Sequence, residues 1–494
     1  MALTIPTLFL LLFLSSKLPC STAQTWIKSG YWFSGSELPV TDINSPLFTH
    51  LICAFAGLNS STYQLSISSL DAQSFSTFSP TVKQKNPTVT TLLSIGGGSV
   101  NSSTFSSMVS QSGFRKSFIE SSMKTARSYG FNGLDFCWVS ANTSSEMTNM
   151  ATLFDEWRLA IESESANSSG SRLILTMAVK FSPDRYNASF PIESIKKNLD
   201  WVHVIAYDYY KPSWWNYTAA FAALYDPGSE VSTEYGINAW IDGGLSANKL
   251  VLGLPFYGYA WTLVNPNDSA VGAPAKGTAI TTYGSMSYKD LKAYMQRYGA
   301  VSEYNATYVV NYCVIGSSWI AYDDVEVVKI KVAYAKKMNL LGYFVWQVPY
   351  DDENWVLSSQ AAQEDEKNPR NKRHFLLLVI LLPTAATVTL AYDLWKCGKG
   401  MEFMDPSLDD TNSSCKLVRC MRIALLCVQE NPANRPSMLE LSSMLKNETA
   451  MVNTPKRPAF STRSDEDEVQ VQESTSQQEI WSVGDVSFTQ IVAR

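Results

Sequence analysis

Eight short apolar runs, each followed by chain of helical spacing, recur between residues 29 and 348 and leave few folds open to this protein. They are SGYWF (29–33), HLICAFAGLN (50–59), TVTTLLSIGGG (88–98), the run at 130–139, RLILTMAVKF (172–181), LDWVHVIAYDYY (199–210), KLVLGLPFYGYAW (249–261) and LLGYFVWQV (340–348). Their β-branched and aromatic content is what strands favour. Between them, FRKSFIESSMKTARSY (114–129) and MTNMATLFDEWRLAIES (147–163) place apolar residues at helical spacing. Eight strands alternating with helices predict an α/β protein, a (β/α)8 TIM barrel over 24–362, with functional residues at the C-terminal ends of its strands. The stretch from about 262 to 323 is too long for a loop and predicts a small α+β insertion.

The fourth run contains FNGLDFCWV (131–139). Side chains alternate along a strand, so Asp135, Cys137 and Val139 share one face. The run resembles the DGxDxDxE signature of family 18 glycoside hydrolases, the chitinase family, with Asn132, Cys137 and Val139 standing where three of its four acidic residues would be. Other matches follow in order: Ser94, Ile95, Gly96 and Gly97 resemble the SxGG motif, Tyr207 and Asp208 the MxYD motif with Ile205 in place of Met, and Trp346 the aromatic floor of the central sugar subsite. The resemblance covers about 26–357 and points to plant class V chitinases. It implies that the residue at 139 would protonate the glycosidic oxygen, while the substrate's own N-acetyl group attacks C1, a substrate-assisted scheme. The residue at 137 would orient that group and stabilise the cationic intermediate, with Asp135 supporting it from below. Valine has no proton to give, and general acid catalysis is worth ~10²–10⁴ in rate.

Binding can outlive catalysis, because sugar faces stack on aromatic rings. Candidates at the strand ends are Tyr31, Trp138, Tyr207, Tyr210, Phe256, Tyr257, Trp261 and Trp346, with Trp214 and Trp215 in the loop after the sixth run. Tyr31, Trp138, Tyr207, Asp208 and Trp346 form the expected substrate-binding set. The favoured expectation is a chitinase-like protein that binds chitin or N-acetylglucosamine oligosaccharides without hydrolysing them and needs no cofactor. Two alternatives stay open: a weakly active chitinase using a displaced acid, and a barrel that binds and inhibits another protein. Only His50, His203 and His374 occur, and no metal site follows from them. The net charge of -6 comes with no basic stripe, which excludes a nucleic-acid partner.

The apolar run ALTIPTLFLLLFL (2–14), followed by Ser21, Thr22 and Ala23, predicts a signal peptide over 1–23. Glycosylation sequons at Asn59, Asn101, Asn142, Asn167, Asn187, Asn216, Asn267 and Asn305 agree with a secretory route. Cys53, Cys137 and Cys313 are expected as buried thiols. A charged linker (363–374) precedes an uncharged run of seventeen residues, FLLLVILLPTAATVTLA (375–391). That length predicts one transmembrane helix, a plasma-membrane location and an extracellular barrel. Beyond it, 392–453 resembles the last helices of a plant receptor-like kinase, through the pattern from Leu425 to Met438 with Arg435. The Gly-rich loop and the HRD and DFG segments are missing, which excludes phosphoryl transfer. A receptor of that kind implies a protein co-receptor as a further partner. The Ser-, Gln- and Glu-rich tail (454–494) is expected to be disordered.

Overall fold

A computed structural model describes residues 26–98, 100–168, 170–184, 188–363, 388–404, 414–447 and 451–458. Among the described residues, the first of its two compact units holds fifteen strands. They are β1 (Ile27–Phe33), β2 (His50–Leu58), β3 (Leu65–Ser66), β4 (Thr90–Gly96), β5 (Gly133–Cys137), β6 (Ile174–Lys180), β7 (Trp201–Ile205), β8 (Leu250–Pro255), β9 (Tyr257–Leu263), β10 (Ala275–Thr278), β11 (Ser285–Ser287), β12 (Glu303–Asn305), β13 (Val310–Ile315), β14 (Ser318–Tyr322) and β15 (Gly342–Trp346). The helices of that unit are α1 (Ala72–Lys85), α2 (Ser102–Ser110), α3 (Ser112–Ser128), α4 (Ser144–Ala166), α5 (Ile192–Asn198), α6 (Thr233–Asp242), α7 (Tyr288–Tyr298), α8 (Val325–Lys337) and α9 (Val356–Gln363).

Eight of the strands run parallel in the order β1-β15-β8-β7-β6-β5-β4-β2, and pairing of β1 with β2 closes the circle. The expected (β/α)8 barrel is therefore the observed one. On β5, Leu134 and Phe136 face outward, where Phe136 meets Phe118, Phe154 and Trp157 from α3 and α4. Asp135 and Cys137 face the lumen, as the alternation of a strand requires. The start of α4 is fixed by a capping box in which Thr143 and Glu146 satisfy each other's backbone N–H groups.

The seventh apolar run is not one strand. The chain bends at Phe256, so that β8 completes the barrel while β9 leaves it and joins a second, antiparallel sheet of order β10-β9-β14-β13-β12, with β11 also on β9. The expected insertion at 262–323 thus begins within that run. Periodicity alone could not find the break, because both halves are apolar and buried on both faces. A buried ion pair ties the end of this insertion to the outer helices: Lys331 on α8 meets Asp323 at 2.5 Å and donates to the Ala222 carbonyl at 2.6 Å.

The second unit is small. Helix α10 (Ser414–Cys427) packs Met421 and Leu425 on Ala391, Tyr392, Trp395 and Met404, and sets Ile423 and Leu426 on Val452, Leu441 and Met444. Helix α11 (Met438–Lys446) opens with a capping box between Ser437 and Glu440. Among the described residues no helix is long and apolar enough to cross a membrane. The run 375–391 lies outside them except for its last four residues, which are helical. The signal peptide, nearly all of the charged linker and the tail beyond 458 also lie outside the described residues.

At the N-terminal end of β2, His50 sits edge-on to Trp201 with ring centroids 5.2 Å apart. Burial, helped by the nearby His203, lowers its pKa from the ordinary 6.5 to about 4. The unfolded chain therefore takes up a proton at His50 before the folded one does. This contribution to stability is complete above pH ~6.5 and is lost as pH falls towards ~4, by roughly 3 kcal/mol in all. A wild-type melting temperature that drops across this window, with a shallower drop in His50→Gln, is the expected result; parallel curves would refute it.

Candidate functional site

At the C-terminal mouth of the barrel three cavities meet at the half-buried Trp346. The innermost, ≈ 190 Å³, is walled by Tyr31, Cys137, Val139, Ala178, Tyr207, Asp208 and Phe344, among others. A second, ≈ 480 Å³, lies against the insertion, which contributes Tyr257, Tyr259, Met286 and Asp290. The third, ≈ 580 Å³, is a trough of Phe33, Phe55, Leu58, Gly98, Val100, Asn101 and Tyr350. Each is of the size that sugar-sized ligands use, or somewhat below it. The Trp346 ring is stacked on Phe55 (5.6 Å) and braced by Tyr31 (5.6 Å), so it presents one face on a rigid support.

Asp135 is fully buried beneath this floor. Its Oδ2 accepts from the Tyr31 hydroxyl (2.9 Å) and from Ser94 Oγ (2.6 Å), and its Oδ1 accepts from Thr176 Oγ1 (2.8 Å). His203 Nδ1 lies 3.0 Å from Oδ1, and Trp201 Nε1 donates to His203 Nε2 at 3.0 Å. An indole N–H can only donate, so the His203 proton sits on Nδ1 and points at Asp135. Burial alone would lift the Asp135 pKa, but the hydrogen bond and electrostatic pull of His203, with the Ser94 and Thr176 hydroxyls, hold it below the ordinary carboxyl value. Every oxygen lone pair it can use is directed at protein, and none at the cavity.

Cys137 stands directly above. Burial, and then the Asp135 charge, push its thiol pKa far up, so it is a neutral group. Val139 lies in the turn just past β5 and is half-buried in the cavity wall. Asp208 is the one carboxylate lining the innermost cavity among the described residues. Its backbone is left-handed (φ 65°), a conformation that Asp tolerates better than most residues. Its Oδ1 accepts from Tyr257 (2.5 Å) and Tyr259 (3.1 Å), and its Oδ2 pairs with Lys211 at 2.8 Å. Burial, followed by the Asp208 charge, raises both tyrosine pKa values, so both hydroxyls stay protonated as donors.

The other expected residues fall in different places. Trp138, one residue past β5, is fully buried on the outer side of the barrel, packed with Phe105 and Phe136, and takes no part in the cleft. The alternation that places Cys137 and Val139 inward sends Trp138 outward, which corrects its assignment to the binding set. Asn132 lies at the opposite, N-terminal end of β5, where its Oδ1 accepts from Thr91 and Lys83. Phe256 and Trp261 are fully buried, while Tyr210 and Trp215 line a separate cavity of ≈ 210 Å³ with Tyr217. His203 and Thr176 were absent from the expected set. Inward parity on β6 and β7 was the available signal, but it does not say that two different strands converge on one carboxylate. Six sequon asparagines are exposed and Asn305 is half-buried, while Asn187 lies outside the described residues.

Residues 27–351 match the model of glycosyl hydrolases family 18. The chain belongs to this family. It is 48% identical over 347 residues to a class V chitinase of Arabidopsis thaliana, covering 70% of this chain and 91% of that one. A solved class V chitinase from Nicotiana tobaccum superposes with a TM-score of 0.68 at 48% identity, over 69% of this chain and 98% of its own; a mutant of it has been solved in complex with NAG4. A chitinase-like agglutinin from Robinia pseudoacacia gives a TM-score of 0.64 at 44% identity, over 68% of this chain and 99% of its own. Family 18 membership thus covers the barrel, its insertion and the cleft above Asp135.

Proposed function

We propose that this family 18 barrel binds chitin or N-acetylglucosamine oligosaccharides in the cleft over Trp346 and does not hydrolyse them. The observation that carries the proposal is the chemistry of the innermost cavity. Where acid catalysis needs a group that can give up a proton, the wall is Val139, and where a carboxylate would face a cationic intermediate there is the neutral Cys137 thiol. Asp135 is sealed under the floor, and both oxygens of Asp208 are engaged by Tyr257, Tyr259 and Lys211. Asp208 therefore serves as a hydrogen-bond acceptor for a sugar amide or hydroxyl. The stacking face of Trp346, with Tyr207 beside it, supplies affinity that none of these replacements removes. Relatives that bind NAG4, and one called an agglutinin, support a sugar ligand for the same fold.

Calorimetric titration of the protein with chitooligosaccharides, run beside a turnover assay, is the test. Saturable binding with no cleavage is expected, and cleavage at rates near those of an active chitinase would overturn it. Trp346→Ala should weaken binding by about 30-fold, the ~2 kcal/mol typical of a buried aromatic anchor. An unchanged dissociation constant in that variant would place the ligand elsewhere.

The proposal extends to location. The apolar leader at 1–23, the exposed sequon asparagines and the apolar run at 375–391 support a barrel displayed outside the plasma membrane and anchored by one helix. The kinase-like segment over 392–453 then lies inside, lacking the parts that bind ATP, and any signal passes through a protein co-receptor.

A further inference from the structure

Asn101 is one of the residues that form the trough beside Trp346, and it is also the acceptor of an Asn-Ser-Ser sequon. It caps α2: its Oδ1 accepts from the Ser103 backbone N–H (3.1 Å) and from Ser103 Oγ (2.7 Å). With the oxygen so engaged, the cap leaves the amide nitrogen of this exposed residue unused. Asn167 differs, since its amide nitrogen is tied back to the Ser163 carbonyl at 2.8 Å. Asn101 is thus an exposed sequon asparagine on the wall of the ligand cleft itself.

We propose that Asn101 carries an N-linked glycan whose core lies in the trough formed by Phe33, Phe55, Leu58 and Trp346, and so closes one arm of the cleft. In the modification, Nδ2 attacks C1 of the first sugar of a lipid-linked pyrophosphoryl oligosaccharide. The N–C1 bond forms, the C1–O bond to pyrophosphate breaks, and the amide proton is lost as the lipid pyrophosphate departs. The two innermost sugars of such a glycan are β1,4-linked N-acetylglucosamines. This inference rests on the ligand reading above, and under it the glycan core has the chemistry that the cleft selects. Phe33 is 37% exposed, an apolar surface that a sugar face would cover. A tether of a few bonds holds the core at an effective concentration in the millimolar range, enough to compete with a micromolar ligand. Long oligosaccharides, which need the trough, meet this competition, whereas the innermost cavity stays open.

The full-length protein from a secreting eukaryotic host tests this. Asn101→Asp keeps an oxygen for the α2 cap while destroying the sequon, and Ser103→Ala does so by a second route. Glycopeptide mass spectrometry should find Asn101 occupied in the parent. Hydroxyl-radical footprinting should show Phe33, Phe55 and Trp346 protected in the parent and several-fold more reactive in both variants. Chitohexaose affinity should rise roughly tenfold when the glycan is absent. An unmodified Asn101, or identical footprints with and without the glycan, would overturn the proposal. Footprints that change while no form binds chitohexaose would confirm the glycan's seat and refute the sugar-ligand reading alone.

Discussion

The double substitution Cys137→Asp with Val139→Glu is expected to raise chitooligosaccharide hydrolysis by about 10²–10⁴ over the parent, the usual worth of a positioned general acid. Both side chains line the cavity of ≈ 190 Å³ beside Trp346, where the glycosidic bond of a ligand stacked on that ring would lie. The glutamate introduced at position 139 would bring a proton, and the aspartate introduced at position 137 would bring charge to face the cationic intermediate and the substrate's acetamido group. The floor needed to hold the new aspartate is in place, because Asp135 is already fixed by Tyr31, Ser94, Thr176 and His203. A second carboxylate over the first favours sharing a proton between them, which suits a group that must hydrogen-bond the acetamido nitrogen. Val139→Glu alone should recover less, since groups acting as one unit are not additive. Initial rates on a chromogenic chitooligosaccharide decide the matter. A folded double mutant that binds the sugar yet shows no gain over the parent would mean that the cleft no longer presents a bond to these positions.

Asp135→Ala should cost about 3–5 kcal/mol of stability, the range for removing one partner of a buried charged network. The Tyr31 and Ser94 hydroxyls and the His203 imidazole would lose their Asp135 acceptor in a fully buried site, while Thr176 would keep only its long contact to the Leu134 carbonyl (3.4 Å), and each unsatisfied donor carries a penalty of ~1–3 kcal/mol. The cavity left by the carboxylate adds to this. Urea denaturation should show the midpoint falling sharply at an unchanged slope, and a loss below about 1 kcal/mol would refute the network's role. Because the folded pKa of Asp135 is depressed, its contribution is present above the ordinary carboxyl pKa and fades as pH falls through the folded value. In the Asp135→Ala variant that part of the acid-side decline should vanish. The four groups that converge on Asp135 make it a structural keystone of the barrel core.

The eight strand runs and their alternation with helices specified the barrel from the chain alone, because hydrophobic period is a local property and a closed parallel sheet follows from it by packing. Alternation likewise decided that Asp135, Cys137 and Val139 face one way, and it contained the answer for Trp138 as well. What local order could not decide is convergence. Asp135 from β5, Thr176 from β6, His203 from β7, Ser94 from β4 and Tyr31 from β1 meet at one carboxylate only because the barrel closes and staggers its strands. The departure of β9 from the seventh run depends on partners in β11 and β14, roughly 30 to 60 residues further on. The placing of Asn101 at the lip of the cleft depends on the loop between β4 and α2 meeting Trp346, which comes from the opposite end of the barrel sequence. Sequence thus determined which residues could act and which way each strand turned them, whereas tertiary closure decided which of them touch, since contact is set by distance in space and only strand direction by distance along the chain.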